Sequence, residues 1–360
     1  NVAFSRADLV LMTGGLGPTY DDLTKETVAA YFGRKMQMHE HSLQRLMEYF
    51  KKAGRTPTPN NLKQAEMPEG AVVFDNDNGT APGLAVEGNG KIAVLMPGPP
   101  YEMNAMFQAR IRPYLQKFSD KVLVSRVIRI MGMGESEVEY KLRDYMMRHK
   151  NPTVAPYAKQ SEVQLRVTAS AKTREEAYGL IDPVVEEIKG ILGKAIYGVD
   201  VENMEQAVVQ QLKAKGMKIA TAESCTGGLV SKRITEIPGA SDVFECGVCS
   251  YANRIKHELL GVSEQTLERY GAVSPQTAQQ MAEGIRRLSG AEIGISVTGI
   301  AGPGGGTEEK PVGLVFLAAA CENKVYVQKL LMENRTRGTV RQFSAKYALE
   351  MLRRLALSLP

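Results

Sequence analysis

Short apolar runs alternate with stretches of helical period along the first part of the chain. Ala7 to Met12 is an apolar run suited to a buried parallel strand. The glycine-rich loop TGGLGPT follows it, and then a helix whose first turn is expected to carry Asp21 and Asp22. The helical patterns Ser42 to Lys52 and Tyr101 to Leu115 flank two more strand candidates, Ala71 to Asp75 and Lys91 to Met96. This order predicts an α/β layer with parallel strands, and ligands of such sheets bind at the carboxyl ends of the strands. The loops there are Thr13 to Asp22, Asp75 to Gly83 and Met96 to Met103.

From Asp120 to Tyr197 the pattern changes. Apolar alternation in VLVSRVIRIMGMG precedes a helix over Ser136 to Arg148, strands near Thr153 to Ala158 and Glu162 to Ala169, and a helix over Glu175 to Leu192. That is a small α+β module. Beyond it the apolar run MKIATA leads through AESCTGG into a helical pattern, and the alternating run IGISVT ends in a glycine-rich loop. With 360 residues the chain exceeds one hydrophobic core. Three units are expected, at 1–118, 119–198 and 199–360, the first and last of them α/β.

A hydrophobic content of 43% with 24% charged residues is ordinary for a globular protein, and neither a membrane-spanning run nor a signal peptide is visible. The net charge of +5 admits anionic ligands. The basic residues are dispersed, however, without the aromatic-interleaved stripe that single-stranded nucleic acid asks for. Cys246-Gly-Val-Cys249 has the spacing of a metal half-site, but Cys225 and Cys321 are isolated and no spaced histidines complete a set. FECGVCSY reads instead as a buried strand, and the absence of disulfide spacing favours a reducing cytoplasm.

Ser224 stands in AESCTGG (Ala222 to Gly228), at an expected strand-to-helix turn. Unpaired N–H groups at a helix start, approached across Gly227 and Gly228, would suit an oxyanion. A serine needs a base, and SYANRIK supplies Lys256 and Tyr251; a desolvated lysine sheds its proton readily. The four histidines, His39, His41, His149 and His257, form no triad pattern. The ordinary alternative for Ser224 is an N-cap. Cys225 beside it is the runner-up nucleophile. Thr298 ends a strand-like run, and the glycines after it could wrap a phosphate, although no P-loop ending follows. Arg335, Arg337 and Arg341 offer guanidinium forks for the same phosphate.

AESCTGG, SYANRIKHELLGV, GAVS (Gly271 to Ser274), SVTGIAGPGGG (Ser296 to Gly306) and EEKPVG (Glu308 to Gly313) together resemble the CinA C-terminal family over Glu202 to Leu359. The resemblance implies hydrolysis of the carboxamide of nicotinamide mononucleotide to nicotinate mononucleotide and ammonia. Ser224 would attack, Lys256 and Tyr251 would manage protons, and no cofactor would be needed. Around the substrate it implies Thr226, Gly227, Gly228, Asn253, Thr298, Gly299, Gly302, Gly304, Arg337 and Arg341, with Arg337 the better match to the family's arginine.

GGLGPT followed by DD and T-x-E, NGTAPG, and PGPP-x-EM resemble the molybdopterin-binding-like domain of CinA and of the molybdenum cofactor biosynthesis proteins. A three-layer domain is implied, with nucleotide or pterin contacts from Gly14, Gly15, Gly17, Thr19, Asn78, Gly79, Thr80, Pro97 and Gly98. Some members are ADP-ribose pyrophosphatases, which implies a divalent cation (Mg, Co or Mn) held by Asp21, Asp22 and Glu26. Acidic residues in a first helical turn also complement the helix dipole without any metal. Family members carry a further strand and helix upstream, so this domain is expected to lack its first βα unit and to expose a sheet edge. The middle module resembles KH domains, yet no GxxG tetrad stands where RNA would be clamped, so a spacer and oligomerisation role is expected. The resemblance implies a homodimer acting on nicotinamide mononucleotide and ADP-ribose. Two other readings stay open: a pterin-binding module, and a competence-related or DNA-damage-related partner without hydrolase activity.

Overall fold

The computed structural model describes residues 1–159 and 161–359, which form two compact units, Asn1–Val122 and Leu123–Pro360. The first unit contains β1 (Leu9–Thr13), β2 (Met36–Met38), β3 (Glu66–Pro68), β4 (Val72–Phe74), β5 (Gly83–Gly88) and β6 (Lys91–Met96). Its main sheet runs β1-β6-β5-β4, and β2 and β3 pair separately. β1 and β6 pair in parallel, whereas β6 with β5 and β5 with β4 are antiparallel; the three strands expected, β1, β4 and β6, therefore run in one direction, and β5, which was not expected, runs against them. The cause is a two-residue hairpin. Asn89 and Gly90 both have positive φ, 51° and 71°, and join Gly88 directly to its partner Lys91. Asn-Gly favours this turn because its left-handed backbone matches the twist of the paired strands. β1 is an edge strand with Leu9 and Leu11 exposed.

The helix after the first glycine loop spans Thr24–Tyr31, so Asp21 and Asp22 lie in the preceding turn rather than in its first turn, where only Glu26 stands. Lys25 is buried and donates to the carbonyls of Lys63, Gln64 and Glu66. Burial pulls its pKa down to about 8. The helix predicted over Tyr101 to Leu115 begins at Pro100 and passes through a π-helical stretch, Phe107–Ile111, before ending at Gln116.

The second unit holds two sheets. β7 (Val122–Ile130), β8 (Thr153–Lys159), β9 (Glu162–Ala171) and β10 (Ile196–Val199) are ordered β10-β7-β9-β8, with the helices Glu135–Arg148 and Arg174–Leu192 packed on them. Gln160, in the β8–β9 connection, lies outside the described residues. β11 (Ile219–Glu223), β12 (Phe244–Cys249), β13 (Ile293–Gly299), β14 (Leu314–Ala320) and β15 (Val325–Leu331) form the other sheet, ordered β12-β11-β13-β14-β15. The first three are mutually parallel and the last two antiparallel.

Alternation along β11 sends Ile219 into the core shared with the helices Met204–Lys215 and Arg337–Ser358, and Ala220 and Ala222 into the core under the helix Pro275–Ser289. A sheet covered on both faces results. The two sheets of this unit are tied through Glu162, which accepts from Arg129, Tyr197 and Lys346 at 2.8, 2.6 and 2.6 Å. Among the described residues no helix is long and apolar enough to cross a membrane.

Candidate functional site: a serine and a buried lysine at parallel strand ends

β11 and β12 are in register up to Glu223 opposite Cys249, and β11 and β13 up to Glu223 opposite Val297. One step further along the three strands stand Ser224, Ser250 and Thr298, a row of hydroxyl residues at the carboxyl edge of the parallel sheet. The Ser224 N–H extends the pairing by donating to the Val297 carbonyl at 2.9 Å. From Ser250 the chain turns into the helix Asn253–Leu260, whose buried face carries Lys256 back toward the strand end.

Lys256 is 1% exposed and Ser224 9%. The lysine Nζ lies 3.3 Å from Ser224 Oγ, 2.7 Å from the Ser250 carbonyl and 3.1 Å from the Tyr251 carbonyl. Among the described residues no carboxylate bonds to the amine, and burial holds it below the ordinary lysine range. A neutral amine has two N–H bonds and one lone pair. With the N–H bonds on the two carbonyls, the lone pair is left for the Ser224 hydroxyl.

The capping alternative for Ser224 is overturned. The helix Leu229–Thr235 starts after Gly228, and its second and third N–H groups are taken by the Glu223 carboxylate, which accepts from Val230 N, Ser231 N and Ser231 Oγ at 3.0, 2.8 and 2.7 Å. The helix start therefore has those donors spent, which corrects the expectation that they would serve an oxyanion. The N–H groups of Cys225 and Thr226, on the turn before the helix, make no backbone hydrogen bond among the described residues. Gly227 and Gly228 have φ of 60° and 87°, a region that side-chain-bearing residues avoid. The Cys225 thiol is buried and pushed up to about 12, principally by desolvation, which removes it as a nucleophile. Cys246 and Cys249 alternate along β12, an edge strand with Cys249 exposed; they cannot face one metal, and the strand is not the fully buried one expected.

The remaining expected residues divide. Arg341 grips the Thr226 carbonyl through Nη2 at 2.7 Å and Nε at 3.3 Å, clamping the turn that carries Ser224. Arg337, exposed at the start of the last helix, donates to the Gly302 carbonyl at 2.8 Å and to the Tyr251 hydroxyl at 3.4 Å. Tyr251 has 65% of its surface exposed, and it reaches Lys256 through its backbone carbonyl, not its phenol. Thr298 commits its hydroxyl proton to the Ala272 carbonyl at 2.7 Å. A side chain at Gly299 would meet Val315 and the Leu314 carbonyl, so that glycine serves strand packing, whereas Gly304 has open space. Asn253 is exposed in the first turn of its helix.

In the first unit, Gly14, Gly15, Gly17, Thr80, Pro97 and Gly98 line a cavity of about 260 Å³ together with Gln64 and Glu102, which the sequence reading passed over. Asn78 and Gly79 line a separate cavity of about 360 Å³, shared only through Thr80. Thr19 spends its hydroxyl on Asp21 and Asp22. Glu26 pairs with Lys63 at 3.1 Å. Asp21, Asp22 and Glu26 thus do not gather as a cation site, and among the described residues no three His, Cys, Asp or Glu side chains do. The donor set does not fit the divalent metal, and no step is derived through one.

Fold and site together define an α/β protein with a serine–lysine pair at the carboxyl ends of parallel strands. Residues 201–356 match the CinA C-terminal domain, 125–198 the KH domain of damage-inducible protein CinA, and 1–117 the probable molybdopterin binding domain. A CinA-like protein of Kosmotoga olearia is 49% identical over 357 residues, covering 99% of this chain and 86% of the relative. A putative competence-damage inducible protein of Clostridium novyi is 50% identical over 354 residues, covering 98% and 85%. Among solved structures, the competence/damage inducible protein CihA of Agrobacterium tumefaciens is 43% identical over 43% of this chain and 94% of its own, with a TM-score of 0.42. The chain belongs to the CinA family.

Proposed function

We propose that the C-terminal domain is a serine amidohydrolase that converts nicotinamide mononucleotide to nicotinate mononucleotide and ammonia. The observation that carries this is the buried Lys256 amine, 3.3 Å from Ser224 Oγ with its two other contacts on carbonyls. Such an amine can take the Ser224 proton as the oxygen bonds to the carboxamide carbon. The Cys225 and Thr226 N–H groups, on the turn that carries Ser224, are assigned to receive the oxyanion of the tetrahedral intermediate. Collapse breaks the C–N bond, and the proton on Lys256 leaves with the nitrogen as ammonia. Water then attacks the Ser224 ester with the amine again as base, releasing the acid and restoring the hydroxyl.

The positively charged pyridinium ring makes the attached carboxamide unusually electrophilic, which suits a base weaker than hydroxide. Exposed Arg337 is assigned to the substrate phosphate and Arg341 to the turn, as their contacts divide them. For the N-terminal domain the cavity at Gly14 and Gly98 supports small-ligand binding; hydrolysis of ADP-ribose has no support from the carboxylate geometry. The test is ammonia release from nicotinamide mononucleotide by the full chain, beside Ser224→Ala and Lys256→Ala. Activity is expected in the parent only, and a variant that retains it would overturn the assignment.

A further inference from the structure

Two fully buried hydroxyls in the second unit have no hydrogen-bond partner among the described residues, and both flank the serine–lysine pair: Thr226 Oγ1 and Ser250 Oγ. A buried hydroxyl without a partner forfeits its hydration for nothing in return. Such a group calls for an explanation, and a role toward a reacting species is one. Thr226 already belongs to the expected substrate contacts. Ser250 does not, and its position is the more telling.

Ser250 and Ser224 each stand one residue beyond the last paired positions of β12 and β11, Cys249 and Glu223, on neighbouring strands that lie about 4.8 Å apart. Its own carbonyl holds the Lys256 amine at 2.7 Å, the shortest contact that amine makes. The hydroxyl hangs from the same residue, so turning about one side-chain bond moves it relative to the amine while the backbone and its hydrogen bond stay in place.

A difficulty in amide hydrolysis gives such a group a task. The proton that Lys256 takes from Ser224 must end on the departing nitrogen, yet the amine is anchored by two carbonyls and faces the oxygen that has just attacked. The geometry points to Ser250 as the second hydroxyl of a Ser224–Lys256–Ser250 relay. Its Oγ accepts a proton from the Lys256 ammonium as its own O–H proton passes to the nitrogen. The C–N bond breaks, ammonia leaves, and Lys256 and Ser250 return to their starting states with Ser224 acylated. Water, the only co-reactant, closes the cycle by hydrolysing the ester. This inference rests on the amidase reading above.

The test is steady-state ammonia release from nicotinamide mononucleotide by the full chain, the Ser250→Ala and Ser250→Thr variants, and Ser224→Ala as the inactive reference, together with their thermal midpoints. Ser250→Ala keeps the carbonyl that holds Lys256 and deletes only the hydroxyl. A fall in kcat of roughly tenfold to a hundredfold with KM little changed is expected. The thermal midpoint should stay level or rise, since an unsatisfied group has been removed. Ser250→Thr should restore most of kcat. Unchanged kcat in Ser250→Ala would overturn the relay, and so would a joint loss of kcat and thermal midpoint, which marks a packing role. If the parent releases no ammonia, the amidase reading fails and the relay with it; if the parent is active, the Ser250 variants alone decide.

Discussion

Ser224 and Lys256 are 32 residues apart in sequence, yet their side chains meet at 3.3 Å because each follows the carboxyl end of one of two adjacent parallel strands. Among the described residues the lysine makes no ion pair there. Replacing it by arginine keeps a long basic side chain but installs a group that does not release its proton in proteins. Lys256→Arg is therefore expected to lower kcat for ammonia release by at least about a hundredfold. In the parent, activity requires the neutral amine, whose pKa burial has lowered from 10.5. Activity should rise with pH and level off at a midpoint below that value. The stability sign agrees: the unfolded chain binds the Lys256 proton more tightly, so this group adds stability as pH rises from its folded pKa toward 10.5. A pH–rate profile falling through neutral and mildly alkaline pH would contradict the assignment.

The carboxylate of Glu223 caps the helix that follows the nucleophile, and so leaves the Ser224 hydroxyl free of that duty. Glu223→Ala would leave the N–H groups of Val230 and Ser231 without their acceptor in a buried place. A loss of about 1–2 kcal/mol in unfolding free energy is expected, with reduced ammonia release because the turn from Ser224 to Gly228 loses its far anchor. Denaturant unfolding measured beside the activity checks this. A variant as stable and as active as the parent would show that the cap is dispensable.

The sequence made some of this plain and hid other parts for identifiable reasons. Lys91 to Met96 is a strand as read, because an apolar run that length between turn residues has few alternatives. The strand Gly83–Gly88 beside it has no place in the sequence pattern as read, although Asn89-Gly90 is a strong hairpin signal that pairs it antiparallel with Lys91–Met96. In the site, Ser224 and Lys256 were legible from residue type and placement. Glu223 was not, because a carboxylate before a strand-end serine reads as ordinary polarity until the helix turns back over it. The Asp21 and Asp22 reading failed since the helix begins at Thr24, and whether side chains converge is a tertiary property. Tyr251 was placed correctly in the chain, yet its phenol points to Arg337.

Arg337 and Arg341, in the first turns of the last helix, differ in what they hold, and that difference is measurable. Arg337 spends one N–H on Gly302 and makes only a long contact to the Tyr251 hydroxyl, so an incoming phosphate can displace the weaker contact. Arg341 has two donors on the Thr226 carbonyl and cannot turn to a ligand without releasing the turn that bears Ser224. Arg337→Ala should raise KM for nicotinamide mononucleotide roughly tenfold to a hundredfold, the value of a charge-assisted hydrogen bond, with kcat nearly unchanged. On nicotinamide riboside, which lacks the phosphate, the same variant should behave as the parent. Arg341→Ala should instead lower kcat on both compounds, because a displaced nucleophile is indifferent to whether a phosphate is present. Equal losses on both compounds for Arg337→Ala would place that guanidinium outside the phosphate site.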